Sequence, residues 1–306
     1  GAAGNVGAML HGDLRIDIQG FHQTENAELR DITSDPLDFT GYDVVVHLAA
    51  LTDTVESFAK PDEYSFVNYH GTIRVAEAAR KAGAHIIFPS TPPQVNGIAP
   101  DGIPIRSWVR YKGKTPYEQS KVDAEEYLTD NYPADRLTIL RLGTVFGYSP
   151  GMKFQTVVHK LCKQAVERKP LTVWRTAADQ LRPYLYIGDL VDTINRVAEM
   201  RIPGVFNVQS CAATVTDVVY VIRERGPRAV EYVDSPSQNS LSFELDCSGL
   251  NRMGLDKHWT RTAVLRKRIG EVMDSLMMTT VSWGVGEGAL DTSPQPRIVR
   301  DPYDPV

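Results

Sequence analysis

GAAGNVG, residues Gly1–Gly7, decides how the rest of the chain is read. Gly1, Gly4 and Gly7 form G-x-x-G-x-x-G. Missing side chains at that spacing let a tight turn approach a pyrophosphate, while the next helix aims its first N–H groups at the charge. The spacing is only moderately specific, because a purely structural turn can also be rich in glycine. Such a run belongs between a buried strand and a helix, so the chain is expected to lack the strand that precedes Gly1. The helix expected from Asn5 to about Leu10 stops at Gly12, and the next strand, near Leu14–Ile18, comes early. Asp17 at its end is a candidate to hydrogen-bond an adenosine ribose, which would favour NAD over NADP by repelling a 2′-phosphate. A solvated surface carboxylate fits the same position.

Downstream, short apolar runs alternate with amphipathic stretches, which predicts β/α units and a parallel sheet. Strands are expected at Asp43–Leu48, His85–Phe88 and Leu137–Leu142, each β-branched enough for burial on both faces. Helices are expected at Tyr64–Ala82, ended by Gly83 as C-cap, and at Pro116–Asn131. Beyond Gly147 the pattern becomes mixed, with a helix at Phe154–Arg168, apolar runs at Pro170–Trp174 and Tyr184–Ile187, and helices at Asp217–Arg225 and Thr262–Met277. The division expected is a doubly wound α/β nucleotide-binding part over residues 1–148, to which segments near 182–210 return. A smaller mixed α/β part follows over 149–280, then a Gly- and Pro-rich tail over 281–306 that wraps the surface or is loosely held.

Composition narrows the chemistry. A chain of 306 residues with net charge −5 offers no cationic field for a nucleic acid, so any phosphate must be held locally. Cys162, Cys211 and Cys247 are too few and too far apart for a disulfide framework or metal cluster, which points to a reducing cytoplasm and no metal. No apolar run approaches a membrane span. Tyr117 and Lys121, four apart on an expected helix, share one face and can reach one bound molecule. An unperturbed phenol, with pKa about 10, is a poor base, and a neighbouring ammonium would make it a better one.

Five blocks occur in order: GAAGNVG, VVHLAA (Val45–Ala50), Asn68-x-x-Gly71-Thr72, PSTPPQVNG (Pro89–Gly97) and PYEQSK (Pro116–Lys121). Together they resemble the extended short-chain dehydrogenase/reductase family, in particular its nucleotide-sugar epimerases and dehydratases, over roughly Gly1–Asp189. The resemblance implies a Rossmann-like fold and bound NAD. It implies cofactor contacts from Gly1, Gly4, Asn5, Val6 and Gly7, from the adenine-side pair Asp31-Ile32, and from Leu48, Ala49 and Ala50. It makes Tyr117 the acid–base and lets Lys121 also hold the nicotinamide ribose.

The family's third catalytic group is a Ser or Thr, for which Thr91 comes first and Ser90 second. Its usual place, five before the residue matching Gly97, is Pro92 here, which implies one inserted residue in 92–94. The family's 4,6-dehydratases carry Asp-Glu directly after that Thr, to eliminate water; Pro92-Pro93 can supply neither acid nor base. On the substrate side, Arg141–Gly147 resembles R-x-x-N-x-x-G with Thr144 in the Asn place. Gln180–Tyr184 resembles the block whose Arg, here Arg182, grips the nucleotide diphosphate, although a salt bridge between the two parts would also suit it. Arg175, His159 and Asn239 lie in segments that could face the same cleft.

The expectation is therefore an NAD-dependent enzyme acting on a nucleotide-activated sugar, most simply a 4-epimerase and a homodimer. The alternatives are a dehydratase of another type, using a residue such as Glu118, a net dehydrogenase or reductase, or a non-catalytic dinucleotide-binding regulator.

Overall fold

The computed structural model describes residues 6, 7, 9, 31–92, 112–149, 151–234, 242–251 and 261–282. Gly1, Gly4, Asn5, Asp17, the strand expected near 14–18, Asn239 and the tail from 283 lie outside them.

Among the described residues, four strands form the main sheet: β1 (Val44–Val46), β2 (His85–Ser90), β3 (Leu137–Leu142) and β7 (Gly204–Val208), in the order β1-β2-β3-β7, all parallel. Alternation sorts their side chains onto two covered faces. Val45, Ile86, Phe88 and Ile139 point to one face, under Val75, Ala76 and Ala79 of helix α3 (Gly71–Ala82) and Ala124 and Leu128 of helix α4 (Pro116–Asn131). Ile87 and Leu140 point to the other, under Leu190, Val191 and Ile194 of helix α6 (Ile187–Met200). Val6 and Met9 pack on this second layer together with Val44, Val46 and Leu48, so the end of the glycine run rests on the sheet beside β1. The fold is a doubly wound Rossmann-like α/β sheet with helices on both faces.

Local chemistry fixes the helix ends. Thr115 caps α4 by accepting from the Glu118 N–H, with Pro116 at the first helical position. Gly83 ends α3 at φ +74°, the left-handed conformation that glycine adopts without strain, as expected from the sequence. Ahead of α3, helix α1 (Thr54–Ala59), capped by Asp53, is followed by α2 (Pro61–Tyr64). A six-residue π-helical segment, Ser65–His70, then joins α2 to α3 as one rod.

The remaining elements form a second core of Phe146, Leu161, Leu171, Tyr184, Val218, Leu265 and Ile269. Here β4 (Thr144–Phe146) pairs in parallel with β6 (Arg182–Tyr186), which pairs antiparallel with β8 (Cys211–Ala213). β5 (Leu171–Trp174) pairs with β9 (Val230–Val233). Around them pack α5 (Val157–Val166), α7 (Val215–Glu224) and α8 (Arg261–Ser282). No described helix is long and apolar enough to cross a membrane.

Candidate active site

Parallel strands bring their C-terminal ends to one edge, where open α/β sheets gather their ligands. At that edge Val46 leads into Leu48–Leu51, β2 ends at Ser90, and β3 ends at Leu142. The α4 side chain of Lys121 lies over the same face as Phe88, whose ring takes the Lys121 Nζ at 3.7 Å from its centre. Ser90, two residues beyond Phe88, shares that face. Its hydroxyl is buried and has no hydrogen-bond partner among the described residues. Thr91 lies half-buried just past the strand end. The structure thus brings Lys121 and Ser90 to one strand end.

The π-helical segment explains the Asn68 block. Asn68 is buried; its Oδ1 accepts from the Leu51 N–H at 2.8 Å, and its Nδ2 donates to the Leu51 carbonyl and to Ser120 Oγ, both at 2.9 Å. Ser120 in turn donates to the Tyr117 carbonyl at 2.7 Å. One amide therefore ties the chain leaving β1 to the turn of α4 between Tyr117 and Lys121. Thr72 donates to the Asn68 carbonyl and meets His47 Nε2 at 2.9 Å. A Cβ at Gly71 would meet Ile32 Cδ1 at 2.6 Å and displace the end of that side chain. Tyr64 packs edge-on against Tyr117, with ring centres 6.4 Å apart.

The electrostatics differ from the sequence expectation in one respect. Burial, and then the Glu118 carboxylate, push the Tyr117 phenol up to about 12, so in this structure the ammonium does not make it a better base. The cause is desolvation, which disfavours the phenolate. Burial also brings Lys121 down to about 7, with Glu125 opposing, so the lysine holds only part of its charge at neutral pH. His47, facing the same lysine, is held neutral near 3 by burial and by that charge.

Arg182, half-buried on β6, gives one hydrogen bond among the described residues, to Gln180 Oε1 at 3.1 Å, and lies 5.8 Å from the Phe243 ring centre. Burial lowers its pKa, opposed by Tyr184 and Glu118. Most of its fork of donors is therefore uncommitted there, and no salt bridge to it is seen among the described residues. Thr144, exposed, pairs in register with Tyr184 two residues beyond Arg182.

Other candidates have local employment. Asp31 is exposed and accepts from the N–H and hydroxyl of Thr33 at 2.8 and 2.7 Å, an Asx turn whose hydrogen bonds lower its pKa. Ile32 packs into the first core layer and its carbonyl accepts from Arg74. His159 is buried: Nε2 accepts from the Gly147 N–H at 3.0 Å and Nδ1 meets the Lys153 carbonyl at 2.8 Å, so both ring nitrogens are used within the protein. Arg175 is exposed and turned to β9, donating to the Tyr232 carbonyl. Sequence reasoning does not single out Glu125, which pairs with Arg141, or His47.

A sequence profile of the NAD dependent epimerase/dehydratase family matches residues 13–208. A dTDP-D-glucose 4,6-dehydratase of Bos taurus is 22% identical over 269 residues, 84% of this chain and 74% of that protein. A UDP-glucose 4-epimerase of Azospirillum brasilense is 29% identical over 202 residues, 60% of this chain and 58% of that protein. The fold matches the crystal structure of the Thermus thermophilus UDP-glucose 4-epimerase in complex with NAD. The TM-score is 0.74 at 19% identity, over 89% of this chain and 97% of that one. With the sheet, the site edge and the family profile in agreement, the chain belongs to the NAD-dependent epimerase/dehydratase family of enzymes.

Proposed function

We propose that the protein interconverts C4 epimers of a nucleotide-activated sugar. Tyr117 moves the proton of the reacting hydroxyl, Ser90 hydrogen-bonds that hydroxyl with Thr91 beside it, and Lys121 holds the nicotinamide ribose. NAD, when bound, takes up and returns the hydride and brings the positive ring charge that would favour the phenolate. The observation that carries this reading is the buried Ser90 hydroxyl at the end of β2, without a partner among the described residues, on the face where Lys121 lies on Phe88. A buried hydroxyl left without a partner costs about 1–3 kcal/mol, which a substrate hydroxyl would recover.

The pyrophosphate falls to Gly1, Gly4, Asn5, Val6 and Gly7, the adenosine ribose to Asp17, and the cofactor's flank to Leu48, Ala49 and Ala50, with Asp31 and Ile32 toward the adenine. Val6 and Gly7 fit this role, being helical, with Val6 seated on the sheet and Gly7 buried. Arg182, with its spare donors, takes the nucleotide diphosphate, and Thr144 lies near it across the strand pair. The substrate lies between the parts 1–148 and 149–280. Buried free Cys162 and Cys211 suit a reducing cytoplasm, and a homodimer completes the reading.

Pro92, where the family's 4,6-dehydratases carry an acid, favours epimerisation. One observation favours a dehydratase of another type: Glu118 is buried beside Tyr117, and its charge is felt by both Tyr117 and Arg182. Incubation with UDP-, GDP- and dTDP-sugars, with products identified by mass and NMR, separates the two. An unchanged mass with inverted C4 supports the epimerase, and loss of water overturns it in favour of the second reading.

A further inference from the structure

Helix α4 carries a third charged group in line with the reacting pair. Glu125 stands four residues beyond Lys121 and eight beyond Tyr117, on the same helix face. Its side chain is 9% exposed and that of Arg141, from β3, is 6% exposed. The Arg141 Nε lies 3.0 and 3.3 Å from the two carboxylate oxygens, and its Nη2 also meets Oε1. Arg141 is opposite Ser90 in the β2–β3 register, so this pair adjoins the same strand end. One buried negative charge is therefore paired with Arg141 and stands one helical turn from Lys121. The guanidinium never gives up its proton, whereas a buried ammonium does.

We propose, on the reading that Tyr117 and Lys121 form the reacting pair, that Glu125 is a positioning residue that keeps Lys121 in its ammonium form, and that Arg141 limits how strongly it does so. Among the described residues, the charged or titratable groups coupled to Lys121 are Glu125 from α4 and His47 from the end of β1, while Arg141 from β3 is paired with Glu125 and Tyr117 stands one helical turn before the lysine. From β2 it meets the uncharged Phe88 ring. His47 is neutral and Arg141 permanently charged. Within this set only Glu125 holds the lysine's proton.

Two substitutions must then act in opposite directions. Glu125→Gln removes the counter-charge, while Arg141→Gln leaves the whole carboxylate to Lys121. The test reads the Lys121 titration directly, by 13C NMR of the full chain labelled at lysine Cε, with the resonance identified by its loss in Lys121→Met. Beside it stands the alkaline limb of the kcat/KM–pH profile, where activity falls as the ammonium gives up its proton. Glu125→Gln is expected to lower both midpoints by about one pH unit and Arg141→Gln to raise both by a similar amount. Since Glu125→Gln takes the buried carboxylate away from the Arg141 guanidinium and could fail to fold, the double variant Glu125→Gln/Arg141→Gln retains an amide pair and is expected to follow the lower midpoint. A lysine midpoint that stays put, or moves the same way in both single variants as loosened packing would cause, overturns the proposal. If the NMR midpoints move in opposite directions while Tyr117→Phe keeps full turnover, the coupling stands and the function proposed above falls.

Discussion

Replacing Asn68 by alanine tests the joint that holds the site together. The variant loses three hydrogen bonds, two to the Leu51 peptide and one to Ser120 Oγ, in a buried place that water does not readily fill. At about 1 kcal/mol each, the folded state should lose about 3 kcal/mol. For a chain of this size that is a fall in Tm of roughly 6 °C, at about 2 °C per kcal/mol. Turnover should fall further than stability implies, because Ser120 is bonded to the Tyr117 carbonyl and a misplaced acid–base group costs about tenfold to a hundredfold. Urea unfolding followed by circular dichroism gives the first quantity and steady-state kinetics the second. Ser120→Ala should cost about 1 kcal/mol, and the double variant should cost less than the sum of the singles, because the two share one bond. A loss below about 1 kcal/mol for Asn68→Ala, or strict additivity of the pair, would refute the view that this amide joins the β1 exit to α4.

Three further outcomes follow from the site. Tyr117→Phe should lower kcat by about 10²- to 10⁴-fold while NAD affinity, read by fluorescence quenching, stays the same; retained turnover would remove the phenol from the chemistry. Arg182→Ala should raise KM for the sugar nucleotide by about tenfold to a hundredfold, and Arg182→Lys should restore only part, because a point charge cannot reproduce the planar fork. Lys121 has a folded pKa near 7, below the 10.5 of the free side chain, so the unfolded chain binds the extra proton between those values and this residue makes stability rise with pH across that window. Lys121→Met should therefore gain more stability over the wild type at pH 6 than at pH 10, measured by urea unfolding at both.

Much of the sheet could be read in advance because its strands are buried on both faces. HIIF and LTILRL leave no other place for their side chains, and β2 and β3 lie where those runs predict. Helix α4 starts at Pro116 because Thr115 and Pro116 spell out their own cap. The strand read as Asp43–Leu48 is shorter, Val44–Val46, since the chain must leave the sheet for Leu51 to reach Asn68. The helix read from Phe154 begins at Val157, because the Lys153 carbonyl and the Thr156 side chain turn back to His159. Asp217, read as the start of α7, is the third residue of a capping box with Thr214, a T-x-x-D signal present in the sequence. Tyr117 and Lys121 were legible because their spacing is local. Glu125 was not, because the partner that justifies burying it stands on another element.

The widened turn at Ser65–His70 has a further implication. A π-helical turn is a helix with one residue to spare, absorbed without turning what lies on either side. Deleting the exposed Phe66 would let the rod close into ordinary turns, with Tyr64 and Thr72 still seated, while Asn68 swings off Leu51. The regular rod and the working one thus differ by a single supernumerary residue, and a chain that became tidier here would keep its shape and lose its grip.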